Sequence, residues 1–239
     1  MNRVVRIARN TKGRDFAVGD IHGHFTRLRK ALEFVHFNPE AGDRLFSVGD
    51  LVDRGPESEE CLEWLGYPWF YAIKGNHEEL VESFTYAQIN AGYYMECGGA
   101  WLIGKMHHER MLYADAFSSL PFMMEVETEA GLVGLIHANV MRDSWTYTRE
   151  RFENCQSAKE WQLIRQICLW ERDRILHEDR TVVEDIHAVV VGHTPIPMAT
   201  VLGNVYHIDT AGWSRGHFTL LDLHTLQTVP PMKPKLDWT

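Results

Sequence analysis

Three apolar runs in this chain end on glycine, each followed directly by a side chain able to bind a metal: Val18-Gly19-Asp20-Ile21-His22-Gly23-His24, Phe46-Ser47-Val48-Gly49-Asp50-Leu51-Val52-Asp53-Arg54-Gly55 and, after Lys74, Ile73-Lys74-Gly75-Asn76-His77-Glu78. A short apolar run bounded by glycine reads as a buried strand. In α/β sheets chemistry gathers outside the carboxyl ends of the strands, so the three ends are expected to converge on one spot. Between them the apolar residues change period. Leu28, Leu32 and Val35 predict a helix over 26–35, and Cys61, Leu62 and Leu65 a shorter one over 57–65. With strands at 15–19, 45–48 and 69–73 this is β-α-β-α-β, which favours a parallel core sheet.

A helix is expected over 77–89. Residues 90–120 then change character: Gly92, Tyr93-Tyr94, Cys97-Gly98-Gly99-Ala100-Trp101 and a helical piece around 107–117 read as a small helical cap inserted over the sheet edge. The runs 122–127 and 132–136 form a hairpin across Ala130-Gly131 that delivers His137. A polar and aromatic loop is expected over 138–154, a helix over 158–175, and a fully buried strand over 186–191 ending in Gly192-His193-Thr194-Pro195. Residues 200–228 alternate as three strands, and the proline-bearing end after Val229 reads as a loose tail. The chain is expected to be one domain, 1–239, without internal repeats.

Of the 239 residues, 45% are hydrophobic and 24% charged, which supports a sizeable soluble core and excludes disordered and fibrous classes. The net charge of −9 argues against a broad nucleic-acid or membrane surface, so an anionic substrate needs a local positive site. No apolar run reaches the ~20 residues of a membrane span, and no signal segment is evident; a cytoplasmic protein is expected. Cys61, Cys97, Cys155 and Cys168 lack CxxC spacing and read as free or buried thiols.

The strand ends together carry Asp20, His22, Asp50, Asn76, His137 and His193. Carboxylate, imidazole and amide oxygen without thiolate suit Mn, Fe, Zn or Co. Six such donors exceed one tetrahedral ion and match two ions sharing a carboxylate, for which Asp50 is the natural bridge. Two carboxylates against two divalent ions leave about +2, an anion trap within an acidic protein. Arg54 adds a planar fork for phosphoryl oxygens. His77, next to Asn76, points elsewhere and is a candidate proton donor to the leaving oxygen, with Asp53 on its other ring nitrogen. The expected chemistry is attack by a metal-bound hydroxide on a phosphate ester.

These motifs resemble, in order and spacing across nearly the whole chain, the calcineurin-like metallophosphoesterase signature. The Asp-Arg-Gly and Asn-His-Glu forms are most similar to PPP-type serine/threonine phosphatases, in particular the small bacterial and bacteriophage-lambda-type members. The resemblance implies an α/β sandwich of two mixed sheets flanked by helices, with two divalent ions at its edge and manganese the usual choice in vitro. It implies Asp20, His22 and Asp50 on the first ion, Asp50, Asn76, His137 and His193 on the second, His77 with Asp53 as the acid pair, and Arg54 on phosphate. A second phosphate arginine follows a tryptophan in such enzymes, and Arg172 in Trp170-Glu171-Arg172-Asp173-Arg174 takes that place. Asn139 after His137-Ala138, and His24, depart from the usual pattern.

The implied substrate is a phosphoprotein or phosphopeptide carrying phosphoserine or phosphothreonine, with phosphotyrosine also admitted; neither nucleic acid nor membrane is an expected partner. Dinucleoside polyphosphate hydrolysis is the alternative, which would draw on basic residues of the cap, where Lys105 and Arg110 stand. A metal-bound binding module is a third reading, and it would have no use for His77 or Asp53. Blander readings pair Arg54 with Glu57 and make Arg172 an ordinary charged helix end. Tyr93, Tyr94 and Trp101 read as packing, Glu78 as a helix cap or a support for a ligand, and Asp209 as a turn cap or an outer contact of the site.

Overall fold

The computed structural model describes residues 3–232. Two sheets face each other. The first runs in the order β1 (Val4–Ile7), β5 (Met123–Glu127), β6 (Leu132–Ile136), β7 (Ala188–Val191), β9 (Val205–His207) and β8 (Thr200–Leu202). The second runs β11 (Thr228–Val229), β10 (Leu220–Asp222), β2 (Asp15–Val18), β3 (Arg44–Ser47) and β4 (Phe70–Ala72). Both are mixed: β2, β3 and β4 are parallel, as are β6, β7 and β9, while β10 and β5 run antiparallel to neighbours.

Period-2 alternation sorts each strand's side chains between layers. Ala17, Phe46, Leu135, Ala188 and Val190 fill the space between the sheets. Phe16, Val18 and Leu45 point outward beneath α1 (Phe25–Phe34), α2 (Cys61–Leu65) and α3 (Asn76–Thr85), meeting Leu28, Trp64 and Phe84. Met123, Ile136, Val189 and Val191 face outward from the other sheet, against α7 (Trp145–Asn154) and α8 (Ala158–Arg165). The central strands β6 and β7, covered on both faces, are continuously apolar. Parallel β2, β3 and β4 release Asp20, Asp50 and Asn76 at one edge, and parallel β6 and β7 release His137 and His193 at the facing edge.

The stretch read as a cap carries α4 (Ala91–Glu96), α5 (Ala100–Ile103) and α6 (His107–Ser118), with α6 packed along α3. Three expectations need correction. The loop expected over 138–154 holds α7, capped by Ser144 Oγ on the Tyr147 amide, with Trp145, Thr148 and Phe152 on its buried face; that spacing is helical, but aromatic and β-branched residues are weak helix formers. The helix expected over 158–175 ends as α8, passes through a π turn (Gln166–Trp170), breaks at extended Glu171 and resumes as α9 (Asp173–Leu176). The three strands expected over 200–228 are four, β8 to β11, and β1 joins parallel to β5 where nothing local announced a strand. Of the tail expected after Val229, residues 233–239 lie outside the described residues. Among the described residues no helix is long and apolar enough to cross a membrane.

Candidate active site

The motif residues meet where the two sheet edges face each other, on a backbone held in an uncommon conformation. His22, Asp50, Asp53, Arg54 and His193 have φ of 44°, 53°, 69°, 67° and 66°. Left-handed geometry is unfavourable for side chains with a Cβ and persists only where neighbours over-determine it. Here they do. The Asp50 carbonyl accepts the amides of Ile21 and His22 at 2.9 and 2.8 Å. Glu78, fully buried, accepts the amides of Asp50, Leu51 and Gly75 at 2.9, 2.8 and 2.8 Å. It therefore both caps α3 and braces the Asp50 turn, so the two readings left open by the sequence hold together. Gly75 and Gly192 are required by close approach: a Cβ on either would lie 2.2 Å from Asp50 Oδ1 or Asp20 Oδ1 respectively.

Asp50 stands at the centre. Its Oδ2 lies 3.5 Å from His22 Nε2, and its Oδ1 lies 3.4 Å from His137 Nε2 and accepts the His77 amide at 3.0 Å. Asn76 Oδ1 is 2.9 Å from His137 Nε2. Asp20 accepts the His193 amide at 2.9 Å, which brings the first and last motifs of the chain together. His22, Asp50 and His77 offer donor atoms within 4.8 Å of one another, as do Asp50, His137 and His193. The first of these groups takes His77 where the motif reading has Asp20, whose Oδ2 lies 3.8 Å from His22 Nε2.

The donor chemistry fits a pair of divalent cations. Carbonyls fix the imidazoles: Val52 O receives His22 Nδ1–H at 2.8 Å and Val48 O receives His137 Nδ1–H at 2.7 Å, turning both Nε2 atoms inward, while Trp170 O takes His193 Nε2 at 3.1 Å and leaves Nδ1 for the site. Trp170 closes the π turn, where carbonyls leave the regular helical ladder. Asp20 Oδ2 is buried with no hydrogen-bond partner among the described residues. Burial, then the charges of Asp209 and Asp50, push the Asp20 carboxyl well above its ordinary range. Burial opposes ionisation of Asp50 too, but His137 and His77 outweigh it and hold that carboxyl well below. For His137, burial is likewise outweighed, by Asp50 and Asp20, and its pKa rises to about 9. Burial and the His137 charge press His193 down to about 3. Buried acids with one oxygen unmet, beside imidazoles oriented from behind, are what a cation would relieve.

Around this cluster, Asp53 Oδ2 accepts His77 Nδ1–H at 2.7 Å. The Arg54 guanidinium reaches His22 Nε2 and His77 Nε2 at 2.6 and 3.0 Å and lies over the Trp213 ring, 4.6 Å from its centre. It does not pair with Glu57, which caps α1 through the Thr26 amide. Trp213 was not singled out from the sequence; its indole bonds Asp209 Oδ1 at 3.3 Å, and Asp209 also caps the turn at Ala211. Arg172 is exposed, its guanidinium without a hydrogen-bond or ion-pair partner among the described residues, and its charge contributes to depressing His193. Arg174 is the structural one of the pair, buried against Asp143, Asn139 and the carbonyls of Asp179 and Thr181. Asn139 thus belongs to that support, bonding Glu171 as well at 2.7 Å.

A family model described as calcineurin-like phosphoesterase matches residues 16–225. Serine/threonine-protein phosphatase 1 of Salmonella typhimurium is 31% identical over 86% of this chain and 89% of its own. A symmetrical bis(5'-nucleosyl)-tetraphosphatase of Pseudomonas syringae pv. syringae is 58% identical, but over 26% of this chain and 22% of its own. Among solved structures, the cold-active protein-tyrosine phosphatase of a psychrophilic Shewanella superposes with a TM-score of 0.60 at 16% identity, covering 93% of this chain and 78% of that one. At that identity the likeness is one of fold.

Proposed function

This chain belongs to the calcineurin-like phosphoesterase family of metal-dependent hydrolases, and from that premise we propose that it is a phosphomonoesterase acting on phosphoserine and phosphothreonine in proteins. Asp20, His22 and Asp50 would hold one ion, and Asp50, Asn76, His137 and His193 the other. Manganese is the ion for reconstitution, iron and zinc being equally compatible with these donors. When bound, the ions supply positive charge to the phosphoryl oxygens and lower the pKa of a water. Arg54 and Arg172 would grip the phosphoryl oxygens: one is stacked on Trp213, the other has its guanidinium free. His77 Nε2, which here accepts from Arg54, would take up a proton and give it to the leaving oxygen once that guanidinium turns to phosphate, with Asp53 stabilising the imidazolium from Nδ1. The free thiols of Cys61, Cys97, Cys155 and Cys168 support a reducing, cytoplasmic setting.

The observation that carries this reading is the placement of Asp50, one oxygen toward His22 and the other toward His137. The protein-phosphatase assignment draws on the relative similar over most of both chains. Against polyphosphate hydrolysis stand the two basic residues of the 91–118 stretch: Lys105 pairs with Glu59, and Arg110 is spent on the carbonyls of Ile103 and Lys105. The His77–Asp53 pair favours turnover over mere binding.

The test is to strip the full chain of metal with chelator, reload it with Mn, and assay a phosphoserine peptide beside diadenosine tetraphosphate. Peptide turnover is expected, restored only by metal, with kcat in His77→Asn lower by about 10²-fold or more. Cleavage of the tetraphosphate alone would transfer the reading to polyphosphates. Turnover of the peptide at an unchanged kcat in His77→Asn would remove the proton-donor assignment.

A further inference from the structure

Asp53 is wholly buried and serves more than His77. While Oδ2 takes His77 Nδ1–H, Oδ1 takes the Tyr94 hydroxyl and the Trp101 indole N–H, each at 2.7 Å. Both donors come from the stretch 91–103, and the same stretch holds the next residue, where Gly98 O accepts the Arg54 amide at 2.9 Å. The turn so gripped is the one in which Asp53 and Arg54 are both left-handed.

A carboxylate free to rotate can present either oxygen to its histidine. Its two oxygens are equivalent, but with two donors fixed on one of them any twist out of plane weakens hydrogen bonds to a charged acceptor, so the plane of the carboxylate, and with it the direction of the other oxygen toward His77 Nδ1, is set. The two donors are themselves fixed. Tyr94 is fully buried and stacked on Phe84 at 4.8 Å, and Gly99 lies so close beneath its ring that a Cβ there would come within 2.3 Å. Trp101 meets Tyr113 edge-on at 4.8 Å. Burial, then the charge of Asp53, holds the Tyr94 phenol far above its ordinary range, so the hydroxyl remains a donor.

We propose that Tyr94 and Trp101 are positioning residues for the leaving-group proton: acting through Asp53, they aim His77 Nε2 at the ester oxygen. The proton passes from Nε2 to that oxygen as its bond to phosphorus breaks and the oxygen of the attacking water bonds to phosphorus, and the proton that water gives up replaces the one His77 has spent. The inference rests on His77 being the proton donor, as proposed above. It gives the 91–103 stretch control over substrates whose leaving group needs a proton, and little over those whose leaving group does not.

The experiment compares Tyr94→Phe, Trp101→Phe, their double variant and His77→Asn in the Mn-loaded full chain. Two substrates are used, a phosphoserine peptide with a poor alkoxide leaving group and p-nitrophenyl phosphate with a good one. On the peptide, kcat should fall about tenfold for each single variant and about 10²-fold for the double, approaching His77→Asn, as expected for loss of a positioned proton donor. On the nitrophenyl ester the same variants should lose about threefold or less, with KM nearly unchanged on both. A second readout needs no turnover: in the metal-free protein, the His77 ring 15N shifts should move in Tyr94→Phe and Trp101→Phe. Equal losses on the two esters, unmoved ring shifts, or full peptide activity in the double variant beside an impaired His77→Asn would overturn the inference alone. If His77→Asn itself showed no leaving-group dependence, both the donor assignment and this inference would fall. Trp101 is partly exposed, so its variant separates loss of positioning from any failure of Tyr94→Phe to fold.

Discussion

In the strand-end cradle the motifs hold one another: Glu78 braces Asp50, Asp20 holds the His193 amide, and the carbonyls of Val48 and Val52 orient the imidazoles of His137 and His22. The stretch 91–118 is built differently. Its short helices have ordinary conformations, its aromatic side chains pack into the shared core, and it reaches the site through Tyr94, Trp101 and the Gly98 carbonyl. The contrast teaches that proximity to one site can serve two tasks. The cradle gathers its buried charges on a left-handed, mutually bonded backbone, whereas the helical stretch holds the Asp53 carboxylate, and with it the His77 ring, through side chains.

The sharpest way to break that division is Asp50→Asn. Loss of the shared carboxylate should lower bound metal from about two ions per chain to about one or none and abolish turnover, read by elemental analysis and the peptide assay. If Tyr94→Phe lost metal to the same degree, the two regions would not have separate tasks. Glu78→Gln comes next. It keeps the shape but removes the charge that receives three amides, and metal affinity should fall about 10-fold to 100-fold, measured by competition with a chromogenic chelator. Because Glu78 is pushed up to about 7, by burial first and Asp50 second, a small effect would indicate that the group already works protonated.

The smallest effect is a baseline outside both regions. Asp43, at the opposite end of β3, accepts the Arg14 amide and guanidinium and the Asn38 amide. Burial works against its charge, but those hydrogen bonds prevail and hold the carboxyl below its usual 3.8. With the folded value depressed, the stabilisation is complete above the usual value and fades as pH falls through the lower one. Asp43→Asn should therefore cost about 1 kcal/mol in urea unfolding near neutral pH, a modest figure because Arg14 is half-exposed, and the difference should narrow toward pH 3. Peptide kcat should stay as in the parent.

How much was legible follows from the range of the interactions. The parallel β2-β3-β4 ladder could be read because each run carries its own periodicity and punctuation within about ten residues. The hairpin of β5 and β6 was legible for the same reason. Strand β1 was not, since its pairing with β5 spans more than a hundred residues of sequence and leaves no local mark. Helix α7 had the right spacing in residues of poor helical propensity. The break at Glu171 is set by packing of the π turn, with Ala138 bonding the Cys168 carbonyl.

The chain's own order of residues determined the candidate donor set, Asp20, His22, Asp50, Asn76, His137 and His193, because each of these residues lies within a few positions of the end of an apolar run and so travels with its strand. Tertiary structure alone decided what stands behind those donors. That Tyr94 and Trp101 meet on one oxygen of Asp53, that Trp213 lies under Arg54, and that Arg174 is buried while Arg172 is free depends on elements packing across 31 or more residues. Such contacts arise from shape and burial after the sheets have closed, and no local pattern of residues encodes them.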